Sequence, residues 1–185
     1  MMTEISLNIL DVAGNSIRAK ATLIEIVVDA DTKANRLTVL IKDNGCGMNP
    51  EQLKNVTDPF FTTRTTRKVG LGIPFFKMAA LSADGDFEIV SKVGEGTEVR
   101  AEFVLRHIDR MPLGDINGTI YTLVHFNPEI DFCYTYRYGE REFRLDTRQM
   151  REILGGIPLD TPEVSEYIRE YLEENKADVD GGAII

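Results

Sequence analysis

An apolar, β-branched run, Arg36-Leu37-Thr38-Val39-Leu40-Ile41-Lys42-Asp43, leads straight into Asn44-Gly45-Cys46-Gly47-Met48. Alternating β-branched residues predict a strand, and the strand ends on a carboxylate. Glycine behind a strand lets the backbone take positive φ and lets a ligand approach without meeting a Cβ. Asp43 then stands where it can accept a hydrogen bond from whatever lies against that bare backbone. The exocyclic amine of a base would suit it. Taken alone, the stretch fits a plain loop equally well.

The rest of the chain frames this strand. Residues 3–20 read as a helix with Thr3 as its N-cap. Ile5, Ile9, Val12 and Ala13 recur at helical spacing, joined by Leu10 and Ile17. Asn8, Asp11, Asn15 and Arg18 form a polar stripe on the same helix. A helix apolar nearly all round is expected to be buried, so its polar stripe must face a cleft or a ligand. Residues 22–30 and 36–44 predict a hairpin, Asn49–Val56 a short helix with Pro50 at its start, and residues 57–70 an ordered loop. A helix opens around Gly72 and Pro74, and residues 86–94 and 97–105 make a second hairpin. This order predicts an α/β sandwich with a mixed, mainly antiparallel sheet over residues 1–110.

Residues 111–185 predict a small C-terminal α+β appendage. Residues 120–126, 132–138 and 141–145 read as three short strands. Asp146 with Gln149 suggests a capping box for a helix that stops at Gly155 and Gly156. The aromatic alternation through Phe126, Phe132, Tyr134, Tyr136 and Tyr138 suits a half-buried strand. Residues 161–175 place Val164, Tyr167, Ile168, Tyr171 and Leu172 on one face of an acidic helix. A packed apolar stripe under a solvated face is the simpler reading, and a partner-docking stripe is the alternative. Residues 176–185 are expected to fray.

Charge divides the chain in the same place. The formal net charge of the 185 residues is -9. Residues 1–110 carry 15 acidic and 14 basic side chains, whereas residues 111–185 carry 15 and 7. An acidic surface disfavours nucleic acid and anionic membranes, and the first half is the better place for an anionic ligand. Two distant cysteines, Cys46 and Cys133, make no disulfide framework. The N-terminus lacks a basic leader, and no apolar run approaches the ~20 residues that span a bilayer. A cytoplasmic location is expected.

Three further elements accompany the Asp43 loop. Asn15 offers an amide oxygen, and Mg²⁺ takes only one or two protein oxygens, leaving its other positions to phosphates and water. Gly70-Leu71-Gly72 stands directly before a helix, whose bare N-terminal amides suit a phosphate. Arg64, Arg67 and Lys68 lie just upstream, in a loop that would cover it. Gly94-Glu95-Gly96-Thr97 gives another tight turn with a hydroxyl. A dinucleotide-binding glycine motif is excluded, because position 75 is Phe75 and no strand directly precedes Gly70. Walker A, HRD and DFG motifs are also missing from the sequence.

In order, Asp11-x-x-x-Asn15, DNGCGM, DPFFTTRTTRKVGLGI and GEGTEV resemble the nucleotide-binding boxes of the Bergerat-fold (GHKL) ATPases. That superfamily joins DNA gyrase, heat-shock chaperone ATPases, histidine kinases and mismatch-repair ATPases. PFFTT followed by GLGI is most similar to the catalytic, ATP-binding domain of sensor histidine kinases. The resemblance covers roughly residues 4–105. It implies that Asp43 binds the adenine amine, with Gly45, Gly47 and Met48 shaping the pocket and Thr97 lining its side. Asn15 would hold Mg²⁺, with Asn8 and Arg18 as second contributors. Gly70, Leu71 and Gly72 would meet the phosphates under a lid carrying Arg64, Arg67 and Lys68 and hinged near Phe60.

Two departures shape the functional expectation. Catalytic members of the superfamily usually carry Glu at position 11, as the base that orients water or a hydroxyl. Asp11 is one methylene shorter. Sensor histidine kinases also carry a dimerisation helix with a phosphoacceptor histidine before the first box, where this sequence begins. His107 and His125 lie in or near predicted strands. The expectation is a Mg²⁺-dependent ATPase or protein kinase in signal transduction, acting on serine or on a histidine supplied in trans. An ATP-sensing regulator that changes partner binding on lid closure is the alternative. Its oligomeric state is left open.

Overall fold

A computed structural model of the chain describes residues 2–57 and 72–185. Its elements are α1 (Ile5–Arg18), β1 (Leu23–Asp31), β2 (Arg36–Asp43), α2 (Pro50–Val56), α3 (Gly72–Ser82), β3 (Asp86–Lys92), β4 (Gly96–Val104), α4 (Ile116–Phe126), β5 (Asp131–Tyr138), β6 (Arg141–Asp146), α5 (Thr147–Leu154) and α6 (Pro162–Asp180). Six strands form one sheet in the order β3-β4-β2-β1-β5-β6. Four of the pairings are antiparallel, and β1 with β5 is parallel. Helices α3, α1, α4 and α6 follow one another across the sheet. The fold is the expected α/β sandwich with a mixed, mainly antiparallel sheet.

Strand alternation decides which face the helices cover. Ile24, Ile26, Val28 and Ala30 of β1 are buried, as are Leu37, Val39 and Ile41 of β2 and Val99, Ala101 and Phe103 of β4. They meet Ile5, Ile9, Val12 and Ala13 of α1 in one continuous core. Side chains two apart share a face of a strand, so Asp43 continues the inward row 37-39-41. Thr97 likewise continues the row 99-101-103, and it pairs directly with Asp43. Both polar residues therefore look toward the helix layer at one end of the sheet.

Helix α1 departs from expectation at its first turn. Its N-cap is Glu4, not Thr3, with no side-chain cap bond. The Glu4 carboxylate instead accepts from the Asp115 N–H at 2.9 Å. Ile5 and Ser6 donate their N–H groups to the Pro112 and Leu113 carbonyls, each at 2.9 Å. The connector before α4 thus caps α1 by backbone pairing. The capping box is found in α2, where Asn49 and Gln52 bond reciprocally. At α5 the expected box with Gln149 is replaced: Asp146 accepts from the Arg148 N–H at 3.0 Å and grips its guanidinium.

The segment after residue 110 differs from expectation in two places. Residues 120–126 are helical, not a strand, and carry His125 with them. Asp115 caps this helix by accepting from the Gly118 N–H at 2.8 Å. Ile116, Ile120, Leu123 and Val124 then bury one helical face against α1 and α6. Burial of that face overrides the β-branched local preference. The tail does not fray. Helix α6 runs to Asp180, Val179 is buried, and Leu113 donates its N–H to the Ile185 carbonyl at 2.7 Å. β5 and β6 continue the same sheet beyond β1, with Phe132, Tyr134 and Tyr136 buried, whereas Phe126 lies exposed at the end of α4.

Candidate nucleotide site

Asp43 is only 8% exposed, and both its carboxylate oxygens are held. Oδ2 accepts the Ser16 hydroxyl at 2.6 Å, and Oδ1 accepts the Gly45 N–H at 2.8 Å. A carboxylate offers about four acceptor positions, so capacity remains for one more donor. Ser16 follows Asn15 directly on α1. It continues the buried row of Ile5, Ile9 and Val12, which is why a small hydroxyl meets the end of β2 there.

The loop after Asp43 is tied down on three sides. Asn44 Oδ1 accepts from Thr22 and Leu23 N–H at 2.9 and 3.0 Å. Cys46 N–H donates to the Ala19 carbonyl at 2.9 Å, and Gly94 N–H donates to the Cys46 carbonyl at 2.8 Å. Met48 N–H donates to Ser91 Oγ at 2.8 Å, and the Ser91 and Thr97 hydroxyls meet at 2.7 Å. Gly47 has φ +68°, and a Cβ there would lie 2.0 Å from the Lys92 carbonyl oxygen. The glycine is required where the loop presses on the β3–β4 hairpin. A Cβ on Gly45 would meet the Ala19 carbonyl oxygen at 2.8 Å.

Asp11 and Asn15 lie one turn apart on α1, both partly exposed. Arg18 donates to Asn15 Oδ1. A carbonyl-type oxygen has two lone pairs, so one remains available to a cation. A Cβ on Gly72 would lie 1.8 Å from Asp11 Oδ2, so the first residue of α3 packs directly on that carboxylate. Asn8 is fully enclosed; its Nδ2 donates to the Glu4 carbonyl at 3.3 Å, and its Oδ1 has no hydrogen-bond partner among the described residues.

Asp11, Asn15, Asp43, Gly45, Gly47, Met48, Gly72 and Thr97 thus gather at one end of the helix-facing side of the sheet. Phe60, Arg64, Arg67, Lys68, Gly70 and Leu71 lie outside the described residues. Sequence reasoning missed Ser16, Asn44 and Ser91, the groups that hold the Asp43 loop in place. The donor set fits a Mg²⁺-nucleotide in kind: a buried carboxylate with a spare acceptor position, bare glycine backbone beside it, and one amide oxygen on the neighbouring helix turn.

Comparisons with known proteins identify the family to which this fold belongs. The model of the histidine kinase-, DNA gyrase B-, and HSP90-like ATPase family matches residues 3–107. A sensor protein of Shewanella frigidimarina is 40% identical over 85 residues, covering 45% of this chain and 13% of that protein. The sensor protein SrrB of Staphylococcus aureus is 31% identical over 101 residues, covering 52% of this chain and 17% of that protein. The chain spans less than a fifth of the length of these curated relatives. The crystal structure of the N-terminal domain of a DNA repair protein superposes with a TM-score of 0.52 at 13% identity, covering 78% of this chain and 52% of that one. That likeness concerns the fold alone.

Proposed function

Given that the chain belongs to the histidine kinase-, DNA gyrase B-, and HSP90-like ATPase family, we propose that it binds Mg²⁺-ATP and transfers or hydrolyses the γ-phosphate in a signalling role. One observation carries the reading. Ser16 and Asn15 are adjacent on α1, and Ser16 is hydrogen-bonded to Asp43 at 2.6 Å. One helix turn therefore serves the adenine carboxylate and the metal-binding amide together.

In this reading the residues divide the work. Asp43 accepts from the adenine amine, and Gly45 and Gly47 leave the backbone bare beneath the base, with Met48 and Thr97 at its sides. Asn15 supplies one oxygen to Mg²⁺, oriented by Arg18. Bound Mg²⁺ would neutralise phosphate charge. Asp11 orients water or an acceptor hydroxyl as general base. Gly72 opens α3 next to Asp11, with Gly70, Leu71, Arg64, Arg67 and Lys68 assigned to the phosphates and Phe60 to the lid hinge.

A second reading has its own support. Asp11 is short, and Gly72 packs against it. An ATP-sensing regulator with little turnover would tolerate both. Calorimetry with Mg²⁺-ATP, followed by turnover measurements on Asp11→Asn, separates these readings. Loss of turnover with affinity retained supports the enzyme. Binding with negligible turnover before the substitution supports the regulator. Absence of binding to folded protein defeats both. Labelling from γ-labelled ATP, tested for acid lability, tells a histidine acceptor from a serine one.

A further inference from the structure

We propose that the groove between α5 and α6 docks a basic amphipathic helix of a partner protein. The groove measures about 660 Å³ and is lined by Met150, Ile153, Leu154, Ile157, Val164 and Tyr167. A second hollow of about 130 Å³ shares Met150, Ile153 and Tyr167 with it and extends it toward Tyr171. Ile153 is 84% exposed, Tyr167 56% and Ile157 52%. Large apolar side chains open to water in one contiguous patch mark an interaction surface. On α6, Val164, Ile168 and Leu172 are buried, as the packed-stripe reading expects, and Tyr167 is the exposed member of the stripe.

The shape suits a helix. On α5, Met150, Ile153 and Leu154 stand at i, i+3 and i+4, and Ile157 follows after the turn at Gly155 and Gly156. On α6, Val164, Tyr167 and Tyr171 stand at i, i+3 and i+7. Two helical apolar faces meet across the groove, as in helix-in-groove recognition. From Val164 to Tyr171 the groove runs roughly 10 Å along α6, about two turns of a bound helix.

Charge fixes the kind of occupant. Glu163 lines the groove, and Glu170 lies seven residues beyond it on the same side of α6. Among the described residues neither carboxylate forms an ion pair. The nearby cations are engaged: Arg144 and Arg148 with Asp146, Arg151 with Asp131, Arg169 with Glu166. An acidic rim around an apolar floor complements lysine or arginine flanking an apolar stripe. The same rim repels anionic membrane, and two copies of a chain carrying -9 would bring like charges together. The site lies on the β6 side of the sheet, so the inference stands apart from the nucleotide reading.

Fluorescence anisotropy tests it with a labelled peptide of about 14 residues, roughly 21 Å as a helix, with leucine at i, i+3, i+4 and i+7 and lysine elsewhere. One control replaces lysine by glutamate, and a second scrambles the sequence so that no apolar face forms. Saturable binding of the basic amphipathic peptide alone is expected. Ile153→Ser and the pair Glu163→Lys with Glu170→Lys should each weaken it roughly tenfold or more. All three positions are exposed, and unchanged circular dichroism checks the fold. No binding, equal binding of the scramble, or indifference to both variants overturns the proposal. Light scattering supplies a further outcome: a concentration-dependent dimer abolished by Ile153→Ser assigns the groove to a second copy and overturns it too.

Discussion

The Ser16 hydroxyl reaches 27 residues along the chain to the Asp43 carboxylate, at 2.6 Å and out of contact with water. It joins the middle of the sheet to α1, one residue from Asn15. A buried carboxylate is costly without donors, so the sheet end is defined by what α1 offers it.

Ser16→Ala should therefore act twice. It leaves Asp43 Oδ2 without its buried donor, at a cost of about 1–3 kcal/mol in urea unfolding. It also frees the carboxylate to turn away from an adenine amine. Affinity for ATP should fall by roughly three- to tenfold, while affinity for inosine triphosphate, which lacks that amine, holds. Calorimetry with both nucleotides reads the ratio. An unchanged ratio would leave Ser16 a packing residue only.

Gly72 and Asp11 should be coupled. An added Cβ at position 72 would sit 1.8 Å from Asp11 Oδ2, so the carboxylate must turn aside. Gly72→Ala should destabilise the protein by about 0.5–1.5 kcal/mol, the cost of forcing that side chain off its rotamer. In the background of Asp11→Ala, the same substitution should cost markedly less, a coupling on the order of 0.5–1 kcal/mol. Urea melts of the four proteins close the cycle. Additive costs would show that the contact is not felt.

Acid stability should report on Asp180. Burial pushes its carboxyl up, but the Lys176 ammonium at 2.5 Å, the Tyr136 hydroxyl at 2.8 Å and the Gly182 N–H at 2.8 Å outweigh burial, leaving it below the usual carboxylate value. A depressed folded pKa means that the stabilisation is complete above the ordinary carboxylate range. It is lost as pH falls through that range toward the folded value. Unfolding midpoints of the native protein should drop more steeply between about pH 5 and pH 2 than those of Asp180→Asn. Parallel curves would remove Asp180 from the account of acid unfolding.

Local periodicity made most of this legible. The alternation Leu37, Val39, Ile41 already pointed Asp43 inward, and the stripe of Asp11 and Asn15 already stood apart from the apolar face of α1. Ser16 was also visible in principle, as a small polar residue in the buried row of Ile5, Ile9 and Val12. Residues 120–126 misled because Ile120, Leu123 and Val124 satisfy a strand by composition and a helix by spacing. Only the Asp115 cap and the neighbouring faces of α1 and α6 decide between them. The pairing of β5 with β1 is parallel and separated by about a hundred residues, so no local signal foretells it. The locks on the Asp43 loop, Asn44 and Ser91, come from partners brought in by the sheet.

Glycines 47 and 94 share a left-handed backbone but should behave differently when a methyl group is added. Gly94 has φ +79° with nothing within 4 Å of an added Cβ. Gly94→Ala should cost only the conformational strain, about 1–2 kcal/mol, and change ATP affinity by no more than about twofold. Gly47 has φ +68°, and its added Cβ would meet the Lys92 carbonyl oxygen at 2.0 Å. The loop must then lift from the β3–β4 hairpin, and the Met48 N–H to Ser91 bond at 2.8 Å lies in its path. Gly47→Ala should lower ATP affinity by roughly tenfold or more, beyond the shared strain. Equal losses from the two substitutions would mean that the docking of this loop does not shape the pocket.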